Sequence, residues 1–361
     1  MMDKHYMNIA IELARVTQGQ TTPNPVVGSV IVKNNQIVGM GAHLKAGEEH
    51  AERHALKMAG DKAKGATMYV TLEPCSHYGR TSPCADAVIE AGIKKVVVAS
   101  LDLNPRVAGR GIQKLMDAGI TVETGVMEKE AVKLNRVFFH YIKTKKPFVT
   151  LKTATSLDGK IATVSGESQW ITGEEARLDV QHLRHTHDAI LVGVNTVLLD
   201  NPSLTTRIGE GGSNPIRIVL DHQLRTPLDA NIVIDKKSPT WIVTKRQTEK
   251  GKKLKLEELG VEIIEMDSDE IHISELLIML GQREISSLLV EGGGTVNDAF
   301  LRSGDFQQVI VYLAPTIIGG KEALSSFSGL GIAKLKNTPK LNIESITTIG
   351  KDIKMILSKG D

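Results

Sequence analysis

Short β-branched runs alternate with helix-length segments that close on glycine along the whole chain. That alternation confines it to α/β architecture, strands paired in sheets with helices laid on their faces. VVGSVIV at 26–32, the Asn34-Asn35 turn and residues 36–41 spell a hairpin. A helix is expected over 49–59, a strand over 67–72 and a helix over 84–91 ended by Gly92. A strand over 95–100, a helix over 111–118 ended by Gly119 and a strand over 120–124 follow. Ahead of them, MMDKHYMNIAIELARV carries Asp3 and Glu12 where an export signal needs an apolar core. It reads as an amphipathic helix packed through Ile9, Leu13 and Val16.

The pattern resets near 143–147, a short basic stretch with a proline, which divides the 361 residues into 1–144 and 145–361. Beyond it strands are expected at 148–153, 189–194, 216–221, 241–244, 261–264, 287–291 and 309–313. Helices fall between several of them, including 174–184 and 295–303. The 44 basic and 42 acidic residues leave a net charge of +2, and aromatics are only 4%. A nucleic-acid or membrane-surface binder needs a basic, aromatic-studded face, so both classes are disfavoured. No apolar run reaches the roughly eighteen residues of a membrane helix. The basic stretch 245–255 reads as a solvated helix face balanced by Glu249, Glu257 and Glu258. With no export signal and only two cysteines, the chain is expected in a reducing cytoplasm.

Those two cysteines point to a metal. His50-Ala51-Glu52 opens a helix, Pro74-Cys75 follows a strand, and Cys84 opens another helix. One imidazole and two thiolates suit zinc and leave its fourth tetrahedral position open, which marks a catalytic rather than a structural site. Positive helix N-termini favour the thiolates. Glu52 need not bind the metal and is placed to carry a proton from water to a leaving amine. H-x-E followed by P-C…C is the signature of zinc nucleobase deaminases, although C-x₈-C replaces the commoner C-x₂-C. A metalloprotease reading through His50 and His54 fails, because H-A-E-R-H is not H-E-x-x-H and leaves both cysteines unexplained.

The insertion SHYGRTSP leads further. TPNPVVG at 22–28, the HAE motif, TLEPCSHYGRTSPC at 71–84 and DLNPRVAGRG at 102–111 resemble the bifunctional deaminase/reductase family of riboflavin biosynthesis. The resemblance continues through KTATSLDGKIA, SQWIT, ILVGVNTVLLDNPSLTTR and VEGGGTVNDAF, covering nearly the whole chain in order. Ser82 and Leu103 depart from the family pattern without removing a reactive group. The resemblance implies a cytidine-deaminase-like α/β/α sandwich followed by a dihydrofolate-reductase-like domain. It implies hydrolytic deamination of a diaminopyrimidinone ribosylamine 5′-phosphate, then NADPH-dependent reduction of its ribose to a ribityl chain. One zinc per chain would be held by His50, Cys75 and Cys84, with Glu52 as proton shuttle. Asn24, His43, His77, Arg80, Asp102 and Asn104 fall where the family lines its pyrimidine and phosphoribosyl pocket.

In the second block no G-x-G-x-x-G follows an early strand; instead Glu291-Gly292-Gly293-Gly294-Thr295 joins a strand to a helix. Such a turn lets a ligand approach the backbone and offers helix N–H groups to a phosphate, but alone it is a weak signal. The resemblance assigns cofactor contacts to Ala154, Trp170, Thr196, Asp200, His222 and Gly293, Gly294, Thr295, Val296, Asn297, Asp298 and Ala299. It assigns substrate contacts to Ser168, Arg184, Leu204, Arg207 and Glu291. Arg184 and Arg207 can each fork onto a phosphomonoester. Lys152, Asp200 and Glu291 are the ionisable groups that can bind the ribose and aid its opening. His182, His185 and His187 read as a polar helix end rather than a second metal site. The expectation is a homo-oligomeric enzyme acting on small phosphoribosylaminopyrimidines, with neither nucleic acid nor a membrane as partner.

Overall fold

The computed structural model describes residues 2–78, 82–104, 109–209, 212–245 and 249–360. They form two compact units, Met1–Lys145 and Lys146–Asp361. The helix Arg136–Thr144 ends on Lys145 at φ 57°, and the next strand starts at Phe148.

The first unit is a five-stranded sheet built from β1 (Gly28–Lys33), β2 (Gln36–Ala42), β3 (Thr67–Leu72), β4 (Lys95–Ser100) and β5 (Thr121–Thr124). Their order is β2-β1-β3-β4-β5. β1 is antiparallel to β2 and β3, while β3, β4 and β5 run parallel. Asn34 and Asn35 both have positive φ, 48° and 60°, as a tight two-residue hairpin turn requires. Alternation sorts each strand between two cores. Ile31, Met68, Val70, Val96 and Val98 meet the helices Ala51–Ala59, Cys84–Glu90 and Arg110–Asp117. Val30, Val32, Tyr69 and Val97 meet the helices Met2–Arg15 and Glu128–Leu134.

The first helix packs through Ile9 and Leu13 as expected, both half-buried against the core, but its fully buried positions lie elsewhere. Met7, Ala10, Ile11 and Ala14 are buried, whereas Val16 lies past the helix end and is 78% exposed. Small residues win because the helix lies close on β1. A Cβ added at Gly28 would fall 1.9 Å from the Ala10 carbonyl oxygen.

The second unit holds nine strands: β6 (Phe148–Thr155), β7 (Ala189–Gly193), β8 (Ile216–Leu220), β9 (Thr240–Thr244), β10 (Glu262–Glu265), β11 (Ser287–Val290), β12 (Gln308–Leu313), β13 (Leu341–Ile349) and β14 (Asp352–Lys359). Their order is β10-β9-β8-β7-β11-β6-β12-β14-β13. All pairs through β12 are parallel, and a β13–β14 hairpin closes the edge antiparallel. The two sheet faces are nearly all aliphatic, Leu151, Leu191, Ile218 and Leu288 on one side and Ile190, Val192, Val219 and Leu289 on the other. That double burial is what a parallel sheet between helices demands. The basic stretch becomes the helix Lys250–Glu258, where Lys253 pairs with Glu265 at 2.9 Å. None of the described helices is long and apolar enough to cross a membrane. In both units the carboxyl ends of the parallel strands carry the chemistry-bearing residues, as in open α/β sheets generally.

Candidate functional site

In the first unit, β3 runs out into Glu73-Pro74-Cys75, and two helices begin beside it. His50 is the residue before the helix Ala51–Ala59, with extended backbone at φ −79°. Cys84 is the first residue of Cys84–Glu90 and is fully buried. The His50 Nδ1 atom lies 3.6 Å from Cys75 Sγ and 3.3 Å from Cys84 Sγ, and the Cys84 N–H donates to Cys75 Sγ at 3.2 Å. These three side chains form the one His/Cys/Asp/Glu cluster with metal-ligand spacing among the described residues. One nitrogen and two sulfurs converging at that distance fit zinc. The hydrogen bond from Cys84 pulls Cys75 down to about 4, and the same bond pushes Cys84 up.

Glu52, the second residue of the helix, is 3% exposed. Burial drives its carboxyl up to about 7, and the negative Cys75 adds to the rise. His43 packs edge-on against His50 with ring centroids 5.1 Å apart. Its Nδ1 lies 3.2 Å from the Glu49 carbonyl, so that nitrogen bears the proton, and its Nε2 accepts from Asn24 Nδ2 at 3.2 Å. Burial lowers its pKa, which keeps the ring neutral and leaves the Asn24 carbonyl for another partner. Asp102 is buried after β4 and accepts from the Asn104 N–H at 2.8 Å. The exposed His77 lies near enough to favour the Asp102 anion, although burial raises that carboxyl overall. Arg80 lies outside the described residues. Beyond it, Arg53 Nη2 donates to the Ser82 carbonyl at 3.0 Å.

Sequence reasoning missed Glu73. Its buried carboxylate accepts from the N–H groups of Gly109 and Gly111, each at 2.9 Å, and of Asp102 and Ile112, each at 3.4 Å. It therefore fixes the loop bearing Asp102 and caps the helix Arg110–Asp117 from 29 to 39 residues away. The TLEPC motif contains it, but nothing local shows a glutamate capping so distant a helix.

In the second unit two adjoining cavities, about 660 Å³ and 650 Å³, share Lys152, Ala154, Ser168, Thr196, Asp200 and Glu291 as a common wall. The first also holds Trp170, Arg177, Arg184, Leu204 and Arg207. The second runs past Gly193, His222, Gly293, Thr295, Val296 and Ala299. Gly293 has open space where a Cβ would stand, and it precedes the helix Gly294–Ser303. A backbone so exposed at a helix N-terminus fits a dinucleotide diphosphate. Gly294 lines the same cavity and is also needed for packing, since a Cβ there would fall 2.3 Å from the Ser325 carbonyl oxygen.

Four of the expected site residues engage the protein itself. Asn297 and Asp298 do not line the cavity. The helix turns them inward, where Asn297 Nδ2 donates to the Ser326 carbonyl at 2.9 Å and Asp298 pairs with Arg302 at 2.7 Å. Trp170 belongs to the first cavity, not the second, and lies 4.8 Å under the Arg177 guanidinium. Arg184 is neither a phosphate fork nor a solvated helix charge. Its Nε and Nη2 donate to the two Glu291 oxygens at 2.8 and 3.0 Å, and its Nη1 to the Thr205 carbonyl at 3.2 Å. Lys152 completes this cluster, 3.5 Å from Glu291. Burial raises the Glu291 carboxyl, but the charges of Arg184 and Lys152 outweigh it and hold the group at about 2. Arg207 is exposed and has no carboxylate partner among the described residues, while its backbone N–H donates to Gln181 at 3.2 Å. Nor do the histidines gather on a metal. His187 bridges the Leu183 carbonyl and Thr150, and His185 accepts from the Ser213 N–H.

Comparison with known proteins agrees with both halves. A model of the cytidine and deoxycytidylate deaminase zinc-binding region matches residues 1–100, and one of the RibD C-terminal domain matches residues 147–355. The riboflavin biosynthesis protein RibD of Bacillus amyloliquefaciens is 51% identical over 354 residues, 98% of this chain and 95% of its own. That of Escherichia coli K12 is 43% identical over 366 residues, covering 98% of each. Among solved structures, Acinetobacter baumannii RibD superposes with a TM-score of 0.90 at 41% identity, covering 99% of both chains. A Thermotoga maritima diaminohydroxyphosphoribosylaminopyrimidine deaminase/5-amino-6-(5-phosphoribosylamino)uracil reductase superposes at 0.89 with 36% identity, again over 99% of both. These matches span both units and nearly the whole length of each relative: the chain belongs to the RibD family and is a bifunctional deaminase and reductase of riboflavin biosynthesis.

Proposed function

We propose that residues 1–144 remove the 2-amino group of 2,5-diamino-6-(5-phosphoribosylamino)pyrimidin-4(3H)-one by hydrolysis. Residues 145–361 then reduce the ribosyl group of the resulting 5-amino-6-(5-phosphoribosylamino)uracil to ribityl with NADPH. The observation that carries the first half is the convergence of His50, Cys75 and Cys84 beside the buried Glu52. A zinc ion held by those three would supply Lewis acidity at its remaining position. Deamination exchanges C–NH2 for C=O, consuming water and releasing ammonia. Glu52, poised near neutrality by burial, takes a proton from the attacking water and returns it to the departing amine. Asn24, oriented by His43, offers a carbonyl to the pyrimidine, and Asp102 and Asn104 approach it from the loop that Glu73 holds.

For the second half, the cavity past Gly293 takes the dinucleotide, and the cavity bearing Arg207 takes the phosphoribosylamine. The nicotinamide cofactor supplies hydride when bound. Lys152, with its ammonium tethered to Glu291, contacts the ribose from the shared wall and aids its opening, with Asp200 on the same wall. Arg207 meets the 5′-phosphate with a guanidinium unclaimed by any described carboxylate. The test is direct. Purified protein should contain one zinc per chain and should oxidise NADPH when given the diaminopyrimidine substrate. Zinc-free protein that does so at the full rate would refute the deaminase reading.

A further inference from the structure

The cavity past Gly293 has two unlike ends. It shares Lys152 and Glu291 with the substrate cavity, so the reacting end of any dinucleotide lies there, at β6 and β11. From that end it crosses β7 to the turn after β8, three strand spacings or about 14 Å along the sheet edge. With the diphosphate at Gly293, the adenosine ribose falls at the β8 turn. The acidic residues of the lining, Asp200 and Glu291, both belong to the shared wall, and the far end carries Asn195, His222, Gln223 and Arg225.

That turn is built rather than loose. Asp221 is fully buried, and its carboxylate accepts from the Arg225 N–H at 2.8 Å, the Thr226 N–H at 2.6 Å and the Thr226 hydroxyl at 2.7 Å. Leu224 completes the bend at φ 56°. The Arg225 guanidinium is steadied by Asn195, donating from Nη2 to Oδ1 at 2.8 Å. Nucleotide sites that select the 2′-hydroxyl place a carboxylate against the ribose, whereas those that select a 2′-phosphate place an arginine there. We infer that Arg225 reads the adenosine 2′-phosphate and so sets the preference for NADPH over NADH. This assignment rests on the dinucleotide reading of the cavity given above.

Binding of two non-reactive probes tests it, 2′-phospho-ADP-ribose and ADP-ribose, each titrated calorimetrically into the full-length protein. The wild type should bind the 2′-phosphorylated probe about ten- to a hundredfold more tightly, the range for a charge-assisted contact. Arg225→Gln should remove most of that ratio while changing ADP-ribose affinity less than about twofold. Arg225→Lys should keep part of it, since a point cation replaces a fork. An unchanged ratio in Arg225→Gln, or a ratio near one in the wild type, overturns the assignment of Arg225 alone. A wild type that binds neither probe overturns the dinucleotide reading, and the assignment with it.

Discussion

Glu291→Gln should unsettle the reductase unit in a way that depends on pH. In the native chain the carboxylate is 10% exposed, forked by Arg184 (12%) and approached by Lys152 (14%). The substitution leaves two largely buried cations without their shared anion, and breaking such a cluster costs about 3–5 kcal/mol. Titration gives an independent figure. The carboxyl moves from an ordinary 4.5 to about 2, a difference worth about 3 kcal/mol near neutrality. A unit of this size loses roughly 2–4 °C in Tm per kcal/mol, so its calorimetric transition should fall by roughly 6–12 °C at pH 7. A depressed carboxyl contributes fully above about pH 4.5 and loses that contribution as pH falls toward 2. Lowering the pH to about 3.5 should therefore erode the wild type but not the variant, narrowing the gap by about 1 kcal/mol. A variant that melts within about 2 °C of wild type at pH 7, with a gap indifferent to pH, would show that the cluster adds no stability.

Three further outcomes follow from the same geometry. Cys75→Ser should strip the zinc and abolish deamination, while Glu52→Gln should keep a full metal content and lose about 10²–10⁴ in deaminase kcat, measured by ammonia release beside metal analysis. Given the already deaminated substrate, that Glu52→Gln protein should still oxidise NADPH at the wild-type rate; a folded variant that fails would show that the two units do not act independently. Arg207→Lys and Arg207→Ala should each lower reductase kcat/KM, Arg207→Ala by about ten- to a hundredfold, with deamination unchanged in the same preparation. Unaltered reduction in both would show that Arg207 does not hold the phosphate.

What could be read from the chain was whatever local chemistry announces. The Asn34-Asn35 turn, the parallel strands of both sheets and the HAE and PC…C motifs each carry their signal within a few residues. The losses are long-range or patternless. Arg184 and Glu291 stand 107 residues apart, and nothing in either segment says that one fork closes on the other. Glu73 caps a helix almost forty residues on. The β13–β14 hairpin escaped because β13 is largely exposed, which blurs the alternation by which half-buried strands are recognised. The resemblance points the whole run Gly293–Ala299 at the cofactor, yet helical rotation of about 100° per residue sends Asn297 and Asp298 inward.

Two buried glutamates show how surroundings divide one side chain between two tasks. Glu52 lies beside a site of thiolate character, and burial holds its carboxyl at about 7, where gaining and losing a proton both come cheaply. Glu291 is equally withdrawn from water, yet two cations hold it at about 2. Held that low, it is an anion near neutral pH and is poorly matched to shuttling protons. Its work is electrostatic: it fixes the Arg184 fork, and through Arg184 the Thr205 carbonyl, and it tethers the Lys152 ammonium at the wall where both cavities meet. In the reading proposed above, Lys152 is the group on that wall that meets the opening ribose, and Glu291 is the group that keeps it in place.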